Sequence, residues 1–124
     1  MSPQEIGVPY WFLIPEKQDK RSEFGNGEAH QASTIPALLE RLQTLSDGAT
    51  RGLSRAKVHG VWKTIEDTSI RFEVAMTEDK EPKLVEILAW AAREFGQECL
   101  YAVFGGGRRA VLVYRESRDE VPAP

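Results

Sequence analysis

Val8, Tyr10, Phe12 and Ile14 alternate along the first apolar stretch, and Trp11 and Leu13 occupy the positions between them. Both faces of this segment are apolar, which predicts an interior strand covered on two sides. Pro15 ends it. From Glu16 to Gln31 the chain is polar and contains Gly25-Asn26-Gly27, so a long loop is expected. Loops of that length in small domains are usually functional or mobile rather than idle. Ser33 or Thr34 is placed to cap a helix, with Pro36 in its first turn. Ile35, Leu38, Leu39, Leu42 and Leu45 form its apolar stripe, and Asp47-Gly48 stops it.

From Arg55 to Lys63, Ala56, Val58, Gly60 and Trp62 alternate with Lys57, His59 and Lys63, the pattern of a half-exposed strand. A turn is expected at Glu66-Asp67, followed by a strand through Ile70, Phe72, Val74 and Met76, so that the two strands pair as a hairpin. Pro82 opens a second helix with Leu84, Ile87, Leu88, Ala91 and Phe95 on one face, closed by Gly96. Cys99 to Phe104 and Ala110 to Tyr114 form a last hairpin around Gly105-Gly106-Gly107. The charged, proline-ended tail from Glu116 to Pro124 is expected to fray, which leaves an ordered core over about 7–115 of a single domain spanning 1–124. The order of elements is that of an α+β, ferredoxin-like βαββαβ fold, an antiparallel sheet with two helices on one face and an added C-terminal strand. Its other face needs cover, and Trp11, Tyr101 and Trp62 are candidates for an apolar surface buried on association.

The chain has 124 residues and a net charge of −3, which argues against nonspecific nucleic-acid binding. A single cysteine, Cys99, excludes an internal disulfide and a cysteine zinc site. The longest apolar run, Val8 to Ile14, is too short to span a bilayer. With no signal-peptide pattern at Met1, a cytoplasmic protein is expected. The sequence has no histidine pair for zinc, no Cys-x-x-Cys, no Walker loop and no nucleophile elbow. Any chemistry must therefore need little beyond a shaped, charged pocket.

The candidate residues each allow two readings. Glu66 and Asp67 make either a solvated hairpin turn or a carboxylate held at a pocket mouth for a cationic ligand. His30, Ser33 and Thr34 are either a capping cluster or an anion site at a helix N-terminus. Gly105 to Arg109 resembles a phosphate cradle but matches no phosphate-loop spacing, and a flexible hairpin with a basic flank suits it better. Gln97-Glu98 follows a helix cap directly, either exposed or lining the end of the sheet. Tyr10, Phe12 and Trp62 read as core, and the acidic face of the second helix as a solvated surface.

Three patches, in order and spacing, resemble the small bacteriophage enzymes that degrade S-adenosylmethionine, described first as hydrolases and later as lyases. His30-Gln31-Ala32-Ser33-Thr34-Ile35 resembles a family His-x-x-Ser-Thr-Leu segment. Gly60-Val61-Trp62 followed by Glu66-Asp67-Thr68-Ser69 resembles Gly-x-Tyr and then a carboxylate before Thr or Ser. Gln97-Glu98-Cys99-Leu100 resembles Gln-(Asp or Glu)-Cys-(Val or Leu), with an apolar strand and Val113-Tyr114 after it. The sequence departs from the family where Trp62 replaces the usual Tyr, in the first loop, and in lacking the long tail of some members.

The resemblance implies cleavage of S-adenosylmethionine to methylthioadenosine and homoserine lactone as a counter-defence against restriction-modification in the infected cell. It implies Glu66 as the catalytic carboxylate and His30, Ser33, Thr34, Trp62, Gln97 and Glu98 as substrate-binding residues. It implies no cofactor and no metal, and a homotrimer with sites between subunits. Two other classes stand beside it: a ferredoxin-like trimeric nucleotide sensor that would hold phosphates at Gly105 to Arg109, and a phage inhibitor that docks on a host target.

Overall fold

The computed structural model describes residues 3–17, 34–46, 53–62 and 65–116, and for 53–62 and 65–68 it describes the backbone. Five strands and two α-helices follow one another as β1 (Val8–Pro15), α1 (Thr34–Gln43), β2 (Leu53–Trp62), β3 (Ile65–Met76), α2 (Glu81–Glu94), β4 (Cys99–Phe104) and β5 (Arg109–Tyr114). Single 3-10 turns at Thr44–Ser46 and Glu78–Lys80 follow α1 and precede α2. The strands make one sheet in the order β2-β3-β1-β4-β5, antiparallel throughout. The α+β, ferredoxin-like arrangement with its added C-terminal strand is what the element order predicts. Among the described residues, no helix is long and apolar enough to cross a membrane.

Alternation along the strands explains why the helices lie where they do. Tyr10, Phe12 and Ile14 face the helices together with Phe72, Val74 and Met76, and all six are fully or almost fully buried. Register makes the core continuous: Phe12 pairs with Phe72, and their rings stack with centroids 5.4 Å apart. Leu38 and Leu42 of α1 and Leu84, Ile87, Leu88 and Ala91 of α2 close over that face at helical spacing.

Among the described residues, the opposite face carries no helix. Trp11 and Tyr101 touch there at 5.7 Å, and the Arg71 guanidinium lies 4.7 Å from the Trp11 ring while it pairs with Glu73 at 3.0 Å. Leu112 and Tyr114 extend this apolar surface onto β5 and are 40% and 61% exposed. The structure thus adds these two residues to the face, while the Trp62 side chain lies outside the described residues.

One expectation fails. Glu66 and Asp67 do not form a turn, because β3 begins at Ile65 and pairs Glu66 with Val61 and Asp67 with Gly60. Acidic residues are depleted in strands, which pointed to a turn. Extending the β2–β3 ladder past the end of the core outweighs that preference, since backbone pairing does not depend on side-chain charge.

Candidate functional site

Thr34, Gln97, Glu98 and the backbones of Trp62 and Glu66 belong to segments that the topology sends to one end of the sheet, whereas Gly105 to Arg109 lie at the other. β1 ends there at Pro15, opposite Ser69 of β3, and Glu66 lies three residues further along the β2–β3 ladder. At about 3.3 Å per residue that is roughly 10 Å past the pair. β4 starts at the same end with Cys99. Lys80 donates to the Leu45 carbonyl at 2.8 Å, tying the end of α1 to the start of α2. The two helices therefore run in opposite directions, and Thr34 at the start of α1 lies toward the end of α2. Thr34 is half-buried. His30 and Ser33 lie outside the described residues, as do the side chains of Trp62 and Glu66.

Gln97 reaches this end by way of a helix stop. Gly96 has φ +63°, its N–H donates to the Arg93 carbonyl at 3.1 Å, and the Gln97 N–H donates to the Ala92 carbonyl at 2.8 Å. Glycine adopts this left-handed geometry without the Cβ penalty, and the paired bonds are those of a Schellman cap. The Gln97 side chain is buried, and its amide nitrogen donates to the carbonyls of Lys17 (2.8 Å) and Phe95 (3.1 Å). Both amide hydrogens are thereby engaged, and Oε1 is the atom with capacity to accept from a ligand. The donation to Lys17 holds the chain after β1 against the cap of α2. Glu98, half-buried, accepts from the Arg115 N–H through its carbonyl at 2.9 Å. Ser69, part of the second patch but given no role by the sequence reading, is a buried residue at the same end.

β1 separates β3 from β4, so two strand spacings of about 4.8 Å set their ladders about 10 Å apart. Gln97 lies two residues beyond Cys99, level with Lys17, so it and Glu66 reach nearly equally far past the Pro15–Ser69 pair, and their backbones stand on the order of 10 Å apart within one chain.

A second polar cluster occupies the other end. Tyr10, its ring fully buried, donates from its hydroxyl to Glu81 Oε2 at 3.0 Å, and Arg109 pairs with the other oxygen of the same carboxylate. Burial first, and then the Glu81 bond, push the Tyr10 hydroxyl up to about 12. The Arg109 hydrogen bond holds the Glu81 carboxyl below its ordinary range. Arg109, read from the sequence as part of a basic flank of the last hairpin, is thus engaged by Glu81 at the start of α2, one residue before the predicted opening at Pro82. The two residues are 28 positions apart, and Tyr10 and Glu81 are 71 apart, separations that leave no local pattern to read.

The folded state keeps Tyr10 protonated between its ordinary value near 10 and about 12, where the unfolded chain has lost that proton. This contribution to stability is present below pH 10 and is lost as pH rises toward 12. In urea melts from pH 9 to 12, Tyr10→Phe is expected to show a shallower alkaline decline than the parent. Parallel declines would contradict the assignment.

Two shallow grooves of about 400 Å³ open on the described surface, one beside Trp90 and Arg41 and one between α2 and β5. Neither is lined by Thr34, Gln97 or Glu98. Among the described residues no group of three His, Cys, Asp or Glu side chains could hold a metal ion.

No family model and no curated protein matches the chain. Two solved structures do. A phage SAM lyase in complex with S-methyl-5'-thioadenosine superposes with a TM-score of 0.62 at 11% identity, over 92% of this chain and 96% of that one. A phage SAM lyase in the apo state gives 0.63 at 12% identity, over 95% and 100%. At this identity the likeness is one of fold, and it extends over nearly the whole of each chain.

Proposed function

We propose that this protein cleaves S-adenosylmethionine to methylthioadenosine and homoserine lactone. The observation that carries the reading is the fold shared with a phage SAM lyase over almost the whole chain, in one case with methylthioadenosine bound. It agrees with the order and spacing of the three sequence patches, and the described parts of the second and third lie toward one end of the sheet.

The chemistry fits a sequence without a recognisable catalytic motif. The substrate's own carboxylate oxygen bonds to its γ-carbon, the bond from that carbon to sulfur breaks, and the electron pair leaves on sulfur as neutral methylthioadenosine. Nucleophile and leaving group both belong to the substrate, so the protein has to fold it into the attack geometry. A carboxylate and a sulfonium neutralise each other in the reaction, and a site poor in water favours that change. Glu66 serves as the catalytic carboxylate by holding the ammonium or placing the sulfonium, and it abstracts no proton. The start of α1, with His30, Ser33 and Thr34, suits an anionic substrate group. Gln97 contributes Oε1 as an acceptor, Glu98 a second carboxylate, and Trp62 a ring face without the phenolic hydroxyl of the usual Tyr.

Glu66 and Gln97 stand roughly 10 Å apart within one chain, a span that one extended substrate can bridge, and the sites between subunits that the resemblance implies are part of this proposal. The apolar face of Trp11, Tyr101, Leu112 and Tyr114 supports assembly as a homotrimer. Light scattering at micromolar concentration is expected to give three times the chain mass, and the mass of a monomer would contradict this. Depleting S-adenosylmethionine in the host cytoplasm would then disarm restriction-modification during infection. The nucleotide-sensor reading is weakened, because Arg109, its phosphate ligand, is already paired with Glu81. Incubation with S-adenosylmethionine followed by chromatography tests the proposal. Methylthioadenosine should accumulate, and intact substrate after prolonged incubation would refute it.

A further inference from the structure

β5 is an edge strand among the described residues, paired only with β4. The Arg115 N–H donates to the Glu98 carbonyl at 2.9 Å, which fixes which β5 residues bond inward. Inward and outward residues alternate in an antiparallel ladder. Arg109, Val111 and Val113 therefore direct their backbone groups to β4, whereas Ala110, Leu112 and Tyr114 direct theirs away from the sheet.

Natural edges are blunted by charge, proline or a bulge. The run Ala110-Val111-Leu112-Val113-Tyr114 has no charge and no proline, and its register with β4 is unbroken. Apolar surface flanks it on both sides. Leu112 and Tyr114 are exposed on the open face, and Val85 is exposed across the groove between β5 and α2.

We infer that this edge pairs with the same edge of a second copy, antiparallel about a two-fold axis through Leu112. The sequence of the strand is its own complement in that register. Leu112 faces Leu112 of the second copy, small Ala110 faces large Tyr114, and Val111 faces Val113, so each cross-strand pair is apolar and no bulky pair collides. At the ends Arg109 meets the second copy's Arg115, and the Arg109 charge is already balanced by Glu81. A strand pair of this length buries less than the roughly 1,200 Å² of a stable complex, so the association is weak and rises with concentration. It uses the backbone edge of β5 rather than the sheet face and would join two sheet-face assemblies edge to edge.

Leu112→Cys tests the axis directly, in a Cys99→Ser background that leaves one thiol per chain. Hydrogen-bonded partners in an antiparallel pair have Cα atoms about 5.5 Å apart, within disulfide range. Mild oxidation is expected to give a cross-linked dimer at least tenfold faster than for Lys83→Cys, whose thiol is exposed on α2. In parallel, Ala110→Pro, which removes an N–H directed away from the sheet and leaves Leu112 and Tyr114 in place, is expected to keep the fold and to halve the light-scattering mass reached at high concentration. Halving differs from collapse to a monomer, so the outcome does not depend on whether the sheet faces form a trimer. Cross-linking no faster than that of Lys83→Cys, or a mass that Ala110→Pro leaves unchanged, would overturn the inference.

Discussion

Glu66→Gln is expected to lose most turnover of S-adenosylmethionine while melting within a few degrees of the parent. Glu66 lies on the β2–β3 ladder beyond the last pair of β1 with β3, away from the core formed by Phe12, Phe72 and their neighbours. Its backbone pairing with Val61 is indifferent to the change from carboxylate to amide. What the amide removes is a charged anchor for a cationic substrate, worth about 1.5–3 kcal/mol. At about 1.4 kcal/mol per tenfold, that corresponds to a fall of roughly ten- to 150-fold. Single-turnover rates at saturating substrate, with melting curves alongside, give the comparison. An unimpaired variant would move the role elsewhere, and Glu98, at the same end of the sheet, is the next candidate.

The largest loss of stability is expected for Phe12→Ala. Phe12 is fully buried, stacks on Phe72 and sits on the central strand β1 beneath the helices. Removing a buried ring costs about 3–5 kcal/mol through lost transfer energy and the cavity left behind. Small domains have only about 5–15 kcal/mol in total, so the variant should be largely unfolded in moderate urea where the parent is folded. Both proteins must be compared at one protomer concentration, because assembly adds apparent stability. A difference under about 1 kcal/mol would mean that the stacked pair is not central to the core.

The fold was legible because its signals are local. Alternation at Val8, Tyr10, Phe12 and Ile14, helical spacing at Leu84, Ile87, Leu88 and Ala91, and the glycine stop at Gly96 each report a backbone geometry within a few residues. The misplaced turn at Glu66-Asp67 shows the limit of such signals. Two acidic residues read as a turn by propensity, and a ladder set by the partner strand drew them into β3.

The candidate site was legible in a different way. His30, Ser33, Thr34, Trp62, Glu66, Gln97 and Glu98 came from a resemblance in motif order; His30 and Ser33 lie outside the described residues, and the topology directs the segments of the others to one end of the sheet. What no local pattern could supply is how the side chains are spent. Gln97 engages both amide hydrogens on backbone carbonyls, one belonging to Lys17, 80 residues away. Glu81 joins Tyr10 to Arg109 across similarly long separations. Contacts of that kind depend on how the elements meet, which spacing along the chain does not encode.

The measurement that bears most directly on the proposed activity is a brief reaction with S-adenosylmethionine in ¹⁸O-labelled water, quenched early and resolved by mass spectrometry. Intramolecular cleavage should give methylthioadenosine and unlabelled homoserine lactone in equal amounts, with homoserine appearing only later as the lactone opens. Homoserine carrying label at its γ-hydroxyl from the earliest time point, or no methylthioadenosine at all, would contradict the account.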